Sequence, residues 1–209
     1  MGQYYIAANI DKRESVTING RYPGMKLLEI AEGTIESRAI MNMIAGPWKG
    51  DRVYLAGDYA DLQQKHAGYY KVLSKLTDEL HLTETSGGIY KLADNEFAKI
   101  EADTEDHGYR FIYNHDKKQY IDICHCPKCG IENEWCQGYI SPLPILIAMG
   151  NGLGGGDYCN SENDELAGTW CDSIQSVEIT ALPKDEYGYE EWHPDFAYTY
   201  SNPILPPLW

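Results

Sequence analysis

The sequence is short of basic residues and has no long hydrophobic run, and each shortage excludes a class of protein. Seventeen Lys and Arg stand against 32 Asp and Glu, for a formal net charge of −15. A surface this acidic repels nucleic acid, so we expect no direct nucleic-acid binding. The longest apolar run, residues 140–149, is interrupted by serine and proline and is too short to cross a bilayer. The first five residues lack the basic start of a secretion signal, so we expect a cytoplasmic protein without membrane contact.

The chain does contain enough apolar material for one folded domain. It has 209 residues, of which 43% are hydrophobic, and 17 are tyrosines. A chain of this length buries a sizeable core. Its acids are concentrated late in the sequence, because residues 157–209 hold eleven Asp or Glu and a single base, Lys184. This imbalance favours a basic partner, and the alternative is an acidic face that only keeps the protein in solution.

Four of the six cysteines lie within residues 124–136, and their spacing predicts a structural zinc site. The middle of this stretch reads Cys-Pro-Lys-Cys-Gly, in which proline and glycine shape a turn that brings two thiolates onto one ion. The predicted ligands are Cys124, Cys126, Cys129 and Cys136, with His125 or His115 as substitutes. A site with four protein ligands stabilises structure and activates no water. Disulfides or packed thiols are the alternative, which a cytoplasmic location disfavours.

Turn residues and apolar periodicity predict a mixed α+β chain. Strands are predicted over Tyr4–Ile10, Ser15–Ile18 and Arg52–Ala56. Helices are predicted over 25–31 and 35–45, and in two pieces over 62–80, where Gly68 interrupts the period. The acidic segment 94–106 has only weak periodicity, and its structure is left open.

Three short matches in the same order predict an internal repeat. Residues 9–13 resemble 114–118, residues 30–33 resemble 147–150, and residues 46–53 resemble 168–174. The separation of the matched segments grows from 105 to 117 to 122 residues, and the first increase falls at the cysteine stretch. We therefore expect two pseudo-repeated halves, each a hairpin, a short helix and a strand, with a zinc-binding loop inserted in the second half.

The expected organisation is a single domain over 1–209. Its parts are a first half over 1–64, a helical and acidic connector over 65–109, a second half over 110–180 that carries the zinc loop 122–138, and an aromatic, Pro-rich tail over 181–209.

No catalytic motif stands out in the chain. The tripeptide Gly-Asp-Tyr occurs twice, and its carboxylates, Asp58 and Asp157, are candidates for paired acid–base work or for holding a divalent ion, with Asp51 and Asp61 nearby. Such aspartates more often cap turns.

Cys159 and Cys171 lie among acids, which raise a thiol pKa and disfavour a nucleophile. The Gly-rich stretch 150–156 lacks the Lys and Ser/Thr of a phosphate-binding loop, so a chain reversal is favoured.

Several longer motifs resemble a family of uncharacterised proteins of phages, prophages and assorted bacteria. They are the opening MGQYY, GDRVYLAGDYAD at 50–61, NHDKKQYID at 114–122, PLP at 142–144 and GNGLGGGDY at 150–158. The resemblance covers most of 1–64 and 110–180 and implies no catalytic residues. The cysteine stretch departs from the family pattern, which agrees with its interpretation as an insertion.

Small acidic phage proteins with this charge resemble inhibitors of host defence nucleases, including anti-CRISPR proteins. RNA-guided nucleases hold nucleic acid in a positively charged channel, which an acidic folded surface can occupy. The expected function is therefore a zinc-stabilised, non-enzymatic inhibitor of a Cas9-type effector that blocks nucleic-acid loading, with the host cytoplasm as its location. The alternatives are a metal-dependent hydrolase using paired Asp residues and a non-catalytic interaction protein. The predicted partner-binding residues are Glu162, Asp164, Glu165, Glu190 and Glu191.

Overall fold

A computed structural model describes residues 3–20, 24–31, 35–62, 68–83, 86–126, 139–151, 166–185 and 188–192. Over these residues the chain forms nine strands and five α-helices, which confirms the α+β class. The strands are β1 (Tyr5–Asn9), β2 (Glu14–Thr17), β3 (Val53–Gly57), β4 (Ala98–Glu101), β5 (Phe111–Asn114), β6 (Gln119–Asp122), β7 (Ala148–Met149), β8 (Val177–Thr180) and β9 (Glu190–Glu191). The helices are α1 (Leu27–Ala31), α2 (Ile35–Ala45), α3 (Tyr70–Glu79), α4 (Gly88–Asn95) and α5 (Leu143–Leu146).

Helix α2 has the bounds that the sequence predicts and is buried over most of its surface. It ends where Gly46 donates its N–H to the carbonyl of Asn42 at 3.0 Å, and the following proline cannot continue the helix. Ile40 contributes to a small cavity with Ala7 and Leu55, which places α2 against the sheet formed by β1 and β3. The helix also contacts β8, so it lies between the two sheets of the protein.

The first sheet has the strand order β4-β2-β1-β3-β7. Strand β1 is antiparallel to β2 and to β3, while β4 runs parallel to β2 and β7 runs parallel to β3. On the face opposite α2, the Ser15 hydroxyl contacts the carbonyl of Ala93 at 3.4 Å, which places α4 there. Strand β4 belongs to the predicted connector and β7 to the predicted second half, so this sheet draws on three of the four predicted segments.

The second sheet has the order β8-β5-β6-β9, with β5 antiparallel to β6 and β8 and with β9 parallel to β6. From its other edge the second sheet has the order β9-β6-β5-β8. The strands β4-β2-β1-β3 of the first sheet have the same relative directions in that order. Ile112, Ile121 and Ile179 of the second sheet join one hydrophobic core with the first sheet. The opposite face carries a separate aromatic cluster of Phe111, Tyr113, Tyr120 and Tyr189.

Glu178 on β8 ties several loops to the second sheet. Its carboxylate lies 2.5 Å from Lys184 Nζ, 3.0 Å from His115 Nε2 and 3.3 Å from Lys49 Nζ. The hydrogen bond from Lys184 contributes most to a pKa of about 2 for Glu178, with His115 and Lys49 adding to the effect and burial opposing it. The folded state therefore favours the ionised carboxylate.

We expect Glu178→Gln to make the free energy of unfolding depend less steeply on pH in acid. Because the folded pKa is depressed, Glu178 stabilises the protein above the ordinary value of 4.5, and that contribution is lost as the pH falls towards about 2. Urea unfolding of both proteins at several pH values across this window measures the effect. Glu105→Gln, at an exposed carboxylate, is the control and should keep the wild-type slope. A Glu178→Gln slope equal to the wild-type slope would contradict this account.

Candidate functional site

The beginning of β1 and the ends of β3 and β7 meet at one edge of the first sheet. Tyr5 pairs with Gly57 across β1 and β3, and Ala56 pairs with Met149 across β3 and β7. The residues that follow, Asp58 and the start of the Gly-rich stretch, therefore lie at this edge. Ends of neighbouring parallel strands are a common position for ligand sites in open sheets.

The space between these strand ends is closely packed around Gln3. Its buried side chain accepts hydrogen bonds at Oε1 from Tyr5 Oη at 2.9 Å and from the Asn151 N–H at 3.1 Å. A Cβ at Gly150 would lie 2.1 Å from Tyr5 Oη, and one at Gly57 would lie 2.5 Å from Gln3 Nε2. Among the described residues, Gln3 Nε2 has no hydrogen-bond partner. Glycine is therefore required at both positions, and the close approach of these groups indicates a packing role.

Asp58 lies half-buried at the same edge. Its Oδ1 accepts the N–H of Tyr4 at 3.1 Å, and its own N–H donates to the Tyr4 carbonyl at 3.0 Å. Burial raises the pKa of Asp58, and in the part of the chain that the structure describes no cation pairs with it. The second member of the hypothesised pair, Asp157, lies outside the described residues.

The two aspartates predicted near Asp58 have other roles. Asp51 accepts a hydrogen bond from Asn9 Nδ2 at 2.8 Å and pairs with Lys12 at 2.8 Å, so it stabilises the turn between β1 and β2. Asp61 forms an isolated backbone bridge with Ser86. Among the described residues, no second carboxylate is bonded to Asp58. These residues therefore give no support to the paired-carboxylate hypothesis.

Two of the four predicted zinc ligands are described, and they have different environments. Cys124 is exposed, with its N–H bonded to Asp122 Oδ1 at 3.0 Å. Cys126 is buried, its Sγ lies 3.7 Å from the Asp122 carbonyl, and burial raises its pKa to about 12. Cys129 and Cys136 lie outside the described residues. Over the residues that are described, no three His, Cys, Asp or Glu side chains are grouped to hold a metal, so this part of the loop does not support the zinc site.

The two histidines named as substitute ligands both have protein partners. His125 Nδ1 lies 2.5 Å from Glu191 Oε1, and His115 lies 2.6 Å from Tyr189 Oη and 3.0 Å from Glu178. The side chain of Asp122, to which His125 is also close, forms a two-point ion pair with Arg110. These contacts fasten β9 and the start of the cysteine loop to the second sheet.

The predicted partner-binding acids fall into two groups. Glu162, Asp164 and Glu165 lie outside the described residues. Glu190 is exposed on β9, and its N–H donates to the Lys118 carbonyl at 2.8 Å. Glu191 is held inside the fold, by His125 and by Tyr120 Oη at 3.0 Å. Glu190 is therefore the one described member that is free to meet a partner without breaking a side-chain contact.

Residues 101–106, here called the acidic connector, belong to the acidic segment 94–106, whose structure the sequence did not predict. Four of their side chains are exposed carboxylates: Glu101, Asp103, Glu105 and Asp106. The backbone is fixed to α2, because Asn42 Nδ2 donates to the carbonyls of Asp103 at 2.9 Å and Glu105 at 3.0 Å, and Arg38 donates to that of Thr104 at 3.3 Å.

Local turns within the acidic connector give it further order. Asp103 Oδ1 accepts the N–H of Glu105, and Asp106 Oδ1 accepts the N–H of Gly108, each at 2.8 Å. Aspartate that bonds the amide two residues ahead is a recognised turn signal, and it was present in the sequence. The contacts from α2 had no such signal, because they join segments about sixty residues apart.

Comparison of the chain with protein-family models, with curated proteins and with solved structures found no match. Over the described residues, no helix has the length and apolar character needed to traverse a bilayer.

Proposed function

We propose that this chain is a non-catalytic, acidic binding protein that occupies the nucleic-acid channel of a basic partner, an RNA-guided nuclease of the Cas9 type, and blocks nucleic-acid loading. The observation that carries this proposal is the acidic connector, which presents three exposed carboxylates, Glu101, Glu105 and Asp106, besides the His107-paired Asp103, on a backbone fixed to α2. The net charge of −15 gives the whole molecule the same sign. In this proposal the protein acts in the cytoplasm of a phage-infected host.

Electrostatic complementarity between the two proteins supports this proposal. Carboxylates held in place before binding lose little conformational freedom when a basic surface meets them. Opposite net charges also accelerate the encounter of two proteins, and salt weakens that acceleration. Glu190 on β9 extends the proposed contact, together with Glu162, Asp164 and Glu165. The carboxylates of Asp51, Asp122 and Glu178 are already paired with lysine or arginine of this chain, and that of Asp103 is paired with His107, so these four contribute structure in this account.

We also propose that the two sheets derive from a repeated unit, and equivalent hydrogen bonds support this. In the hairpin of each sheet, an asparagine Oδ1 accepts the N–H three residues ahead: Asn9 from Lys12 at 3.0 Å and Asn114 from Lys117 at 3.1 Å. The residue that closes each turn has a φ of 54°, at Arg13 and at Lys118.

A buried tryptophan gives the proposed repeat a second line of support. Trp48 Nε1 donates to Glu14 Oε2 at 2.7 Å, and Trp170 Nε1 donates to Gln119 Oε1 at 3.2 Å. Glu14 and Gln119 are the first residues of β2 and β6, which have the same place in their sheets. Such agreement in side-chain contacts is what duplication of one module predicts.

Zinc bound by Cys124, Cys126, Cys129 and Cys136 is proposed to close the loop 122–138. We expect one zinc ion per chain in the purified protein, and we expect Cys126→Ser to lose it and to lower the thermal stability, because a metal offsets the small core of a short loop. Elemental analysis and a thiol titration measure both. Cys171→Ala, outside the loop, is the control and should keep the metal. A zinc-free wild type with four blocked thiols would instead indicate disulfides.

Binding to a purified guide-RNA-loaded Cas9-type nuclease tests the proposed function. Interferometry at about 0.1 M and about 0.5 M salt should show tight binding that weakens about tenfold or more at the higher salt, since screening removes the long-range attraction. Binding that is absent at low salt, or that does not change with salt, would contradict the proposal.

A further inference from the structure

Three separated segments of the chain bring tyrosines together beside Asp58. Tyr4 precedes β1, Tyr59 follows Asp58 in the loop after β3, and Tyr90 lies in the first turn of α4. Tyr4 is 44% exposed and Tyr59 38% exposed, which places them among the few large apolar side chains that face solvent in the described part of the chain. We call Tyr4, Asp58, Tyr59 and Tyr90 the tyrosine patch.

The packing of α4 fixes the position of its residue Tyr90 relative to the loop that carries Asp58 and Tyr59. The Gly87 N–H donates to the Ala60 carbonyl at 2.8 Å, and a Cβ at Gly87 would lie 2.3 Å from the Asp58 carbonyl oxygen. The beginning of α4 is therefore pressed against the loop that carries Asp58. Burial raises the pKa of Tyr90, and the charges of Asp94 and Asp58 and the Tyr4 hydroxyl raise it further.

Asp58 is the electrostatic centre of the tyrosine patch. It is half-buried, its Oδ1 is occupied by the Tyr4 N–H, and it has no cationic partner within the described ranges. By contrast, the equally half-buried Asp51 pairs with Lys12 and Asn9. A partly desolvated carboxylate without a counter-ion is costly, and one that persists at a surface is a candidate for contact with a cation from outside.

We propose that the tyrosine patch receives an arginine side chain of the basic partner, with the guanidinium hydrogen-bonded to Asp58 and its plane against a tyrosine ring. Tyrosine faces attract cations, and guanidinium stacks on aromatic rings more readily than ammonium does. Tyrosine and arginine are also enriched where protein interfaces contribute most of their binding energy. This inference rests on the proposed function and assigns it a specific anchor, whereas the acidic connector supplies general attraction.

A nona-arginine peptide is a direct probe of this patch, with calorimetry as the measurement. We expect Asp58→Asn to weaken binding about tenfold and Tyr4→Ala to weaken it about threefold to tenfold, since each removes one contact to the cation. Asparagine keeps the Oδ1 acceptor for the Tyr4 N–H, and Tyr4 is exposed, so both variants should fold. Nona-lysine should bind the wild type more weakly than nona-arginine does.

Asp78→Asn is the matched control, because Asp78 is an exposed carboxylate on α3 whose side chain forms no hydrogen bond or ion pair with the other described residues. It should leave peptide binding within about twofold of the wild type, the effect expected of one screened surface charge. Equal affinity of the wild type and both patch variants, or an equal loss in the Asp78→Asn control, would overturn the inference. The nuclease-binding measurement is independent of this result, so the tyrosine patch can fail while the proposed function stands.

Discussion

Trp170→Ala is expected to destabilise the protein by about 3–5 kcal/mol, the usual cost of emptying a buried tryptophan site. The indole is fully buried in the core shared by both sheets, donates to Gln119 Oε1 and lies beside the ring of Trp192 at 6.3 Å. A domain of this size has about 5–15 kcal/mol of stability in total, so much of it would be lost. Urea unfolding followed by circular dichroism measures the change.

The proposed repeat adds a stricter test to this prediction. Trp48→Ala should cost a similar amount, because Trp48 is as deeply buried and makes the corresponding hydrogen bond to Glu14. Leu182→Ala is the control, since Leu182 is 76% exposed, and it should change stability by less than about 0.5 kcal/mol. A loss below about 1 kcal/mol at either tryptophan would show that its indole does not support the core as described.

Charge reversal is expected to remove nuclease binding while the fold survives. The sequence suggested five positions: Glu162, Asp164, Glu165, Glu190 and Glu191. The contacts of Glu191 with His125 and Tyr120 mean that its reversal also breaks the fold locally, so it is left unchanged in the test. Glu105→Lys in the acidic connector takes its place, whereas Asp106 is kept because its Oδ1 accepts the N–H of Gly108. We expect the combined variant to bind about a hundredfold more weakly, mainly through slower association.

Asp78→Lys is the control for this experiment. It reverses one exposed charge on α3, away from both acidic segments in sequence, and should weaken binding only slightly. Circular dichroism and the unfolding curve establish that each variant is folded. Wild-type affinity in the combined variant would show that neither acidic segment meets the partner.

Local sequence signals were sufficient for the elements whose stabilising contacts are close in the chain. Helix α2 has apolar residues at helical spacing and a Gly-Pro stop, and its observed bounds match the prediction. The hairpin turns carry an asparagine that bonds the backbone three residues ahead, which is also a local property. These features depend on neighbours that the sequence places side by side.

Elements that depend on distant partners were not predictable in the same way. Strand β4 is four residues long, mostly exposed, and pairs with β2 more than eighty residues away. Strand β7 lies in an apolar run and pairs with β3 of the first sheet. The spacing of apolar residues in the sequence does not indicate that partner. Because pairing between strands is set by tertiary packing, a short segment without alternation gives little indication of its place in a sheet.

The match between the two Gly-Asp-Tyr tripeptides stays a prediction, because Asp157 lies outside the described residues. The more informative residues around Asp58 are Tyr4 and Tyr90, which come from other segments and share no motif with it.

Titration of this protein into a guide-RNA-loaded Cas9-type nuclease, with target-DNA loading and cleavage as the two readouts, tests the central claim most directly. The account predicts loss of DNA loading at a near-stoichiometric dose, loss of cleavage in parallel, and recovery of both at high salt. Unimpaired DNA loading and cleavage at a large excess of this protein and moderate salt would contradict it.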